Sequence, residues 1–122
     1  MAENGKVVIN LATGLEDPER VMISLLVGEA AVRAGKDVVM FLTKEAVRLA
    51  VEGVAVGTAC DGCPSIERLL EQYAEGGGRI YACPICLTSR SLDGQTLVGN
   101  ATIAGATPLW EFIGEGATVF DY

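Results

Sequence analysis

No histidine occurs anywhere in the 122 residues. That absence removes Ser-His and Cys-His nucleophilic catalysis, zinc fingers of the mixed cysteine and histidine type, and any imidazole general base. Basic residues are scarce too: nine, scattered from Lys6 to Arg90, against 16 acidic ones, for a formal charge of −7. With no basic patch to meet phosphate backbones or anionic lipid, nucleic acid is not an expected partner and neither is a charged membrane surface. Long apolar runs are missing; nothing approaches the roughly 18 consecutive residues that a membrane-spanning helix needs. The segment Met1-Ala2-Glu3-Asn4-Gly5-Lys6 carries no apolar signal core, so a cytoplasmic location is expected.

What is present argues for a packed core. Half of the residues are apolar, and the length suits one domain over residues 1–122, able to bury a core without staples. Four cysteines stand in two matched pairs, Cys60-Asp61-Gly62-Cys63 and Cys83-Pro84-Ile85-Cys86, each beside a proline placed like the first residue of a helix. A cytoplasmic protein keeps its thiols reduced by default, so such pairs read as catalytic, redox-active or metal-binding before they read as structural disulfides. Without histidine, any thiolate here has to be prepared by a helix end, an arginine, a metal or a partner.

The organisation along the chain is alternating. Lys6 to Leu11 and Asp37 to Leu42 are short runs rich in β-branched residues, as buried parallel strands require. Between them Asp17 is placed as an N-cap, Pro18 as the first helical residue and Gly35 as the C-terminal stop of a helix from Pro18 to Ala34. That helix is apolar over nearly all of Val21 to Val27, more than one face against a sheet needs, which predicts a second buried face, by depth in the domain or at a subunit interface. Short helices are expected over Lys44 to Val51 and Pro64 to Ala74, the second burying Ile66, Leu69, Leu70 and Tyr73 as one stripe. Gly76-Gly77-Gly78 ends it; the run lacks the context of a phosphate loop and lies at the wrong end of a helix. Further strands are expected over Arg79 to Ala82, Asn100 to Ala104 and Ala117 to Phe120, with helices from Pro84 and over Pro108 to Ile113.

The predicted fold is therefore α/β: a three-layer α/β/α domain around a mainly parallel sheet of about five strands. Sites in such folds form beyond the carboxyl ends of the strands, which gathers Thr13, Gly14, Thr43 and Cys83 at one edge. If Cys83 is the N-cap and Cys86 the third helical residue, their side chains reach toward each other and can share a disulfide, a metal or a sulfur atom. A sulfur at a helix N-terminus is near the positive end of the macrodipole, which favours the thiolate. Arg90, one turn beyond Cys86, is placed either to add positive charge or to pair with a carboxylate, and Thr88 and Ser89 are candidate hydrogen-bond donors.

Cys60 and Cys63 are a possible second thiol pair, with three roles open: resolving thiols, inert buried residues, or half of a zinc site. The spacing C-x2-C-x19-C-x2-C is compatible with one zinc on Cys60, Cys63, Cys83 and Cys86, so a non-catalytic scaffold is one competing function. A dithiol-disulfide oxidoreductase using Cys83 and Cys86 is the other. Cys83-Pro84-Ile85-Cys86 is similar to the glutaredoxin motif, but too little chain follows Cys86 to complete that fold.

Thr13-Gly14 after the first strand, Pro18, Phe41-Leu42-Thr43, the segment Ile80-Tyr81-Ala82-Cys83-Pro84-Ile85-Cys86-Leu87-Thr88-Ser89-Arg90 and the closing Ile103-Ala104-Gly105-Ala106-Thr107-Pro108-Leu109 together resemble the DsrE/DsrF-like family. These are sulfur-relay proteins that include the subunits of the Tus complex. The resemblance implies an α/β/α fold assembling as trimers or hexamers. It also implies that the cysteine at position 83 accepts sulfane sulfur as a persulfide from a donor protein and hands it to an acceptor protein. Ser91 stands where the family usually has glycine, and nothing in the family requires Cys60 or Cys63. The expected function is a small sulfur carrier or sulfurtransferase, with Cys86 as second acceptor or resolving thiol and no resident cofactor.

Overall fold

The computed structural model describes residues 5–122. The start read above as lacking a signal core lies, from Met1 to Asn4, outside the described residues. The chain alternates: β1 (Lys6–Leu11), α1 (Pro18–Arg33), β2 (Asp37–Leu42), a 3₁₀ segment (Lys44–Ala50), α2 (Ile66–Glu75), β3 (Arg79–Ala82), α3 (Pro84–Ser89), β4 (Ala101–Ile103), α4 (Ala106–Ile113) and β5 (Thr118–Asp121). The five strands form one sheet in the order β4-β3-β2-β1-β5, every pair parallel. Lys6 lies opposite Asp37 and Leu11 opposite Leu42; Met40 pairs with Ile80, and Ile80 with Ala101.

Alternation along the strands divides two cores. Val7, Ile9, Leu11, Val38, Met40, Leu42, Ile80 and Ala82 face α1, α2 and the 3₁₀ segment. Val8 and Val39 point the other way, onto Phe112 of α4. Helices on both faces make the three-layer α/β/α domain that the sequence predicts. Lys6 Nζ and the Arg79 guanidinium lie 5.7 and 5.1 Å from the Phe112 ring centre, closing that second, thinner layer with cations over an aromatic face.

The helix ends follow the capping rules closely. Asp17 accepts from the Arg20 N–H at the start of α1. Three helices end in the Schellman arrangement, with a left-handed residue just past the end: Gly35 after α1, Gly77 after α2 and Ser91 after α3. In α2 the stripe Ile66, Leu69 and Tyr73 is buried as expected, while Leu70 is half-buried. The Tyr73 hydroxyl donates to the Arg79 carbonyl at 2.6 Å, and burial pushes its ionisation well above the usual range. Gly78 is required beside it, because a Cβ there would sit 2.3 Å from the ring.

One expectation is corrected. The helix placed from Pro64 begins at Ile66, with Ser65 as its N-cap accepting from Arg68 N–H. A serine oxygen caps better than the Cys-Pro step two residues earlier, so Cys63 is a loop residue and does not repeat the arrangement of Cys83. The second apolar face of α1 is not buried by depth in the domain, since Ile23 and Leu26 remain about two-fifths exposed at 41% and 42% on the single chain; of the two alternatives open for it, the subunit interface is the one left. No helix among the described residues is long and apolar enough to cross a membrane.

Candidate functional site

Strand β3 delivers Cys83 to its carboxyl end, where the Cys83 N–H continues the sheet pattern by donating to the Leu42 carbonyl at 3.0 Å. Its backbone is extended (φ −61°, ψ 122°), and Pro84 opens α3 as the first helical residue, as the Cys-Pro step predicts. Cys83 and Cys86 are both free and both half-buried. Ile85, between them, is 77% exposed, so the turn carrying the two sulfurs stands at the surface.

The two side chains do not form the reciprocal capping expected of them. Cys83 makes no side-chain cap hydrogen bond, and Cys86 Sγ instead accepts from the backbone N–H of Lys44 at 3.1 Å. Lys44 supplies that donor from a left-handed conformation (φ 53°), rare for a residue with a side chain. It opens the 3₁₀ segment just beyond β2, whose parallel register with β3 brings positions 44 and 86 together.

Behind Lys44 stands Glu45, and it organises the rest of the site. Arg90 Nε donates to Glu45 Oε2 at 2.6 Å, and Arg48 Nε to Oε1 at 2.7 Å. The Arg90 guanidinium first, and Arg48 second, hold the Glu45 carboxyl below its ordinary ionisation range. Arg90 Nη1 also donates to the Cys86 carbonyl at 3.3 Å and to Ser89 Oγ at 3.1 Å, while Ser89 Oγ donates to that same carbonyl at 3.2 Å. Of the two roles open to Arg90, the structure shows the carboxylate partner: its charge is committed to Glu45, and it braces the α3 turn by the backbone of Cys86. Gly14 completes the cluster. A Cβ on it would lie 2.6 Å from the Glu45 carbonyl oxygen, so only glycine lets the loop after β1 press against the 3₁₀ segment. Its N–H donates to Glu16 Oε1 at 2.9 Å.

Of the residues singled out in the sequence, Gly14, Ser89, Arg90, Cys83 and Cys86 thus converge beyond the carboxyl ends of β1, β2 and β3. Thr13 lies in the same loop as Gly14, and Thr88 shares a shallow depression with Pro84, Ile85 and Ser89. Lys44 and Glu45 were missed; a charged pair following the end of β2 was the only signal, and it says nothing of the residues the pair will meet.

Cys60 and Cys63 are joined to each other in a disulfide, with Cα atoms 5.2 Å apart. Gly62, at φ 75°, turns the loop back so that Cys63 N–H donates to the Cys60 carbonyl at 3.0 Å, which brings the sulfurs into reach. The expectation of reduced thiols therefore holds for Cys83 and Cys86 and fails for this pair. Among the described residues no three histidine, cysteine, aspartate or glutamate side chains are grouped to hold a metal ion, so the four-cysteine zinc arrangement is not what the fold builds.

The DsrE/DsrF-like family model matches residues 5–122. Among solved structures the fold is similar to that of the ychN protein from E. coli, with a TM-score of 0.80 at 19% identity, covering 97% of this chain and 99% of that one. It is also similar to MTH1491 from Methanobacterium thermoautotrophicum, a protein of unknown function (TM-score 0.67, 15% identity, 97% and 99% covered). A third similar structure is BT1422 from Bacteroides thetaiotaomicron (0.64, 18%, 100% and 98%). No curated protein matches the chain.

Proposed function

The chain belongs to the DsrE/DsrF-like family, and on that premise we propose that it is a cytoplasmic sulfur-relay protein that carries sulfane sulfur as a persulfide on Cys83. The observation that carries this reading is the position of Cys83: a free thiol where β3 turns into α3, with a second free thiol one turn on and an exposed isoleucine between them. In the forward step the Cys83 thiolate attacks the terminal sulfur of a donor protein's persulfide. A new S–S bond forms on Cys83, the donor's S–S bond breaks, and the donor leaves as a thiolate. In the return step an acceptor thiolate attacks the outer sulfur and regenerates the Cys83 thiolate. Electrons balance in both steps with no external oxidant.

Cys86 has two ways to take part. By attacking the outer sulfur it becomes the second carrier; by attacking the inner one it forms a Cys83–Cys86 disulfide and releases hydrosulfide. The Lys44 N–H on its sulfur is suited to either, since it stabilises negative charge there as a bond forms or breaks. Donor and acceptor proteins must approach the α3 surface, where Pro84, Ile85, Thr88 and Ser89 are presented together.

The apolar surface left on the single chain supports assembly with further copies, as trimers or hexamers. Ile23 and Leu26 on α1, Trp110 on α4 (70% exposed) and Phe120 on the edge strand β5 are all uncovered. The test of the carrier role is direct: after incubation with a persulfide donor the wild-type chain gains about 32 Da per added sulfur, and a Cys83→Ser variant does not. A serine variant that loads as well as wild type removes the assignment.

A further inference from the structure

A cavity of about 550 Å³ opens on the α2 side of the sheet, with no cysteine in its lining. Its floor is apolar, made by Leu49, Leu70, Ala74 and Val98, while Glu52, Glu67 and Glu71 stand on its walls. The volume falls within the range of sites that take small organic molecules, and an apolar lining with a few polar groups is what such sites share.

The walls are built by specific bonds. Residue Val51 bridges to Leu97 in an antiparallel step, with Glu52 N–H donating to the Thr96 carbonyl at 2.9 Å and Val98 N–H to the Ala50 carbonyl at 2.8 Å. Left-handed Gly53 and Gly57 turn the next stretch past α2, where Gly57 N–H donates to Glu67 Oε1 at 3.4 Å and Ile66 N–H to the Thr58 carbonyl at 2.9 Å. The disulfide Cys60–Cys63 closes the loop that follows.

Charge decides what fits. None of the lining residues is basic, and the cation beside Glu71 is Arg68, outside the lining, whose Nη1 is 4.0 Å from Glu71 Oε1. Three carboxylates around an apolar floor, in a chain of net charge −7, repel an anion and attract a cation of the same shape. We propose that this cavity binds a small organic cation, an ammonium group on an aliphatic or aromatic body. The body lies over Leu49, Leu70 and Val98, and the charge faces Glu67 and Glu71. This site is independent of the sulfur-relay reading.

The experiment titrates the full chain with 2-phenylethylamine and, separately, with 3-phenylpropionate, which has a similar apolar body and the opposite charge, following methyl resonances by NMR. The amine is expected to saturate one site and shift the methyls of Leu49, Leu70 and Val98, with the acid weaker by about tenfold or more, one charge contact's worth of affinity. The double variant Glu67→Gln/Glu71→Gln should weaken the amine several-fold, and Ala74→Trp, which fills the floor, should abolish its binding. Glu111→Gln/Glu115→Gln, on the opposite layer, should change nothing, and Cys83→Ser should leave binding intact while sulfur loading is lost. Equal binding of amine and acid overturns the proposal, as does an equal response to both pairs of glutamine variants. So does a result in which neither probe binds and Ala74→Trp changes the oligomeric state, which identifies the occupant as a second copy of the chain.

Discussion

The backbone N–H of Lys44 points at the sulfur of Cys86 from 3.1 Å, across 42 residues of sequence. The donor is main chain, so the residue type at position 44 matters only through φ, which is 53°. Lys44→Gly keeps the N–H and removes the steric penalty of the left-handed conformation, about 1 kcal/mol, while loosening the unfolded chain by a similar amount. The variant should unfold in urea within about 1 kcal/mol of wild type and load sulfur normally. Loss of loading with stability intact assigns the function to the lysine ammonium instead.

Gly14 holds the same segment from the other side. Gly14→Ala places a Cβ 2.6 Å from the Glu45 carbonyl and has to move backbone, at a cost of about 1–3 kcal/mol. Gly94→Ala, with nothing within 4 Å of its added Cβ, serves as control and should be nearly neutral. Alkylation of Cys86 under native conditions reports the local effect: faster in Gly14→Ala, unchanged in Gly94→Ala. Identical rates in the two variants mean that the loop after β1 does not position Lys44.

The Glu45 carboxyl titrates below the ordinary range of a glutamate because Arg90 and Arg48 favour its charged form. A carboxyl depressed on folding contributes stability that is complete above its unfolded value and disappears as pH falls through the folded one. Wild type should therefore exceed Arg90→Ala in urea midpoint by a constant amount at neutral pH, the gap narrowing only well into acid. A gap that closes between pH 7 and 6 implicates some other group.

Ser91 occupies the same left-handed position after α3 that Gly35 and Gly77 occupy after α1 and α2. Leu92 N–H reaches the Leu87 carbonyl at 2.8 Å and Ser91 N–H the Thr88 carbonyl at 3.0 Å, so the motif is complete and only the residue type is unfavourable. Ser91→Gly relieves the left-handed strain, about 1–2 kcal/mol, against the cost of a looser unfolded chain, about 0.5–1 kcal/mol, so its stability should equal that of wild type or exceed it by up to about 1 kcal/mol. A decrease means that the Ser91 side chain makes a contact worth more than its strain.

The strands and the Cys83 turn were legible because they are local. A β-branched run of six residues has few alternatives to a buried strand, and Pro84 can open a helix but not continue one. Cys63-Pro64 carries the same local signal and fails, because Ser65 next to it is the better cap and Gly62 turns the chain away. The contacts that define the site are not local at all: Lys44 with Cys86, Glu45 with Arg90 and Gly14 with Glu45 arise from the parallel register of β1, β2 and β3, and nothing in any one segment announces its partner. The cavity is of the same kind, its floor drawn from the 3₁₀ segment, α2 and the approach to β4.

Cys83 is the proposed sulfur-bearing residue, and site-resolved transfer tests that role most directly. The chain is loaded from a donor carrying heavy-isotope sulfur, and tandem mass spectrometry of the Ile80–Arg90 peptide is followed while an acceptor thiol is added. The label should appear on Cys83 first, move to the acceptor or through Cys86, and leave Cys60 and Cys63 untouched. Label found first on Cys60 or Cys63, or label on Cys83 that no thiol acceptor removes, contradicts the account.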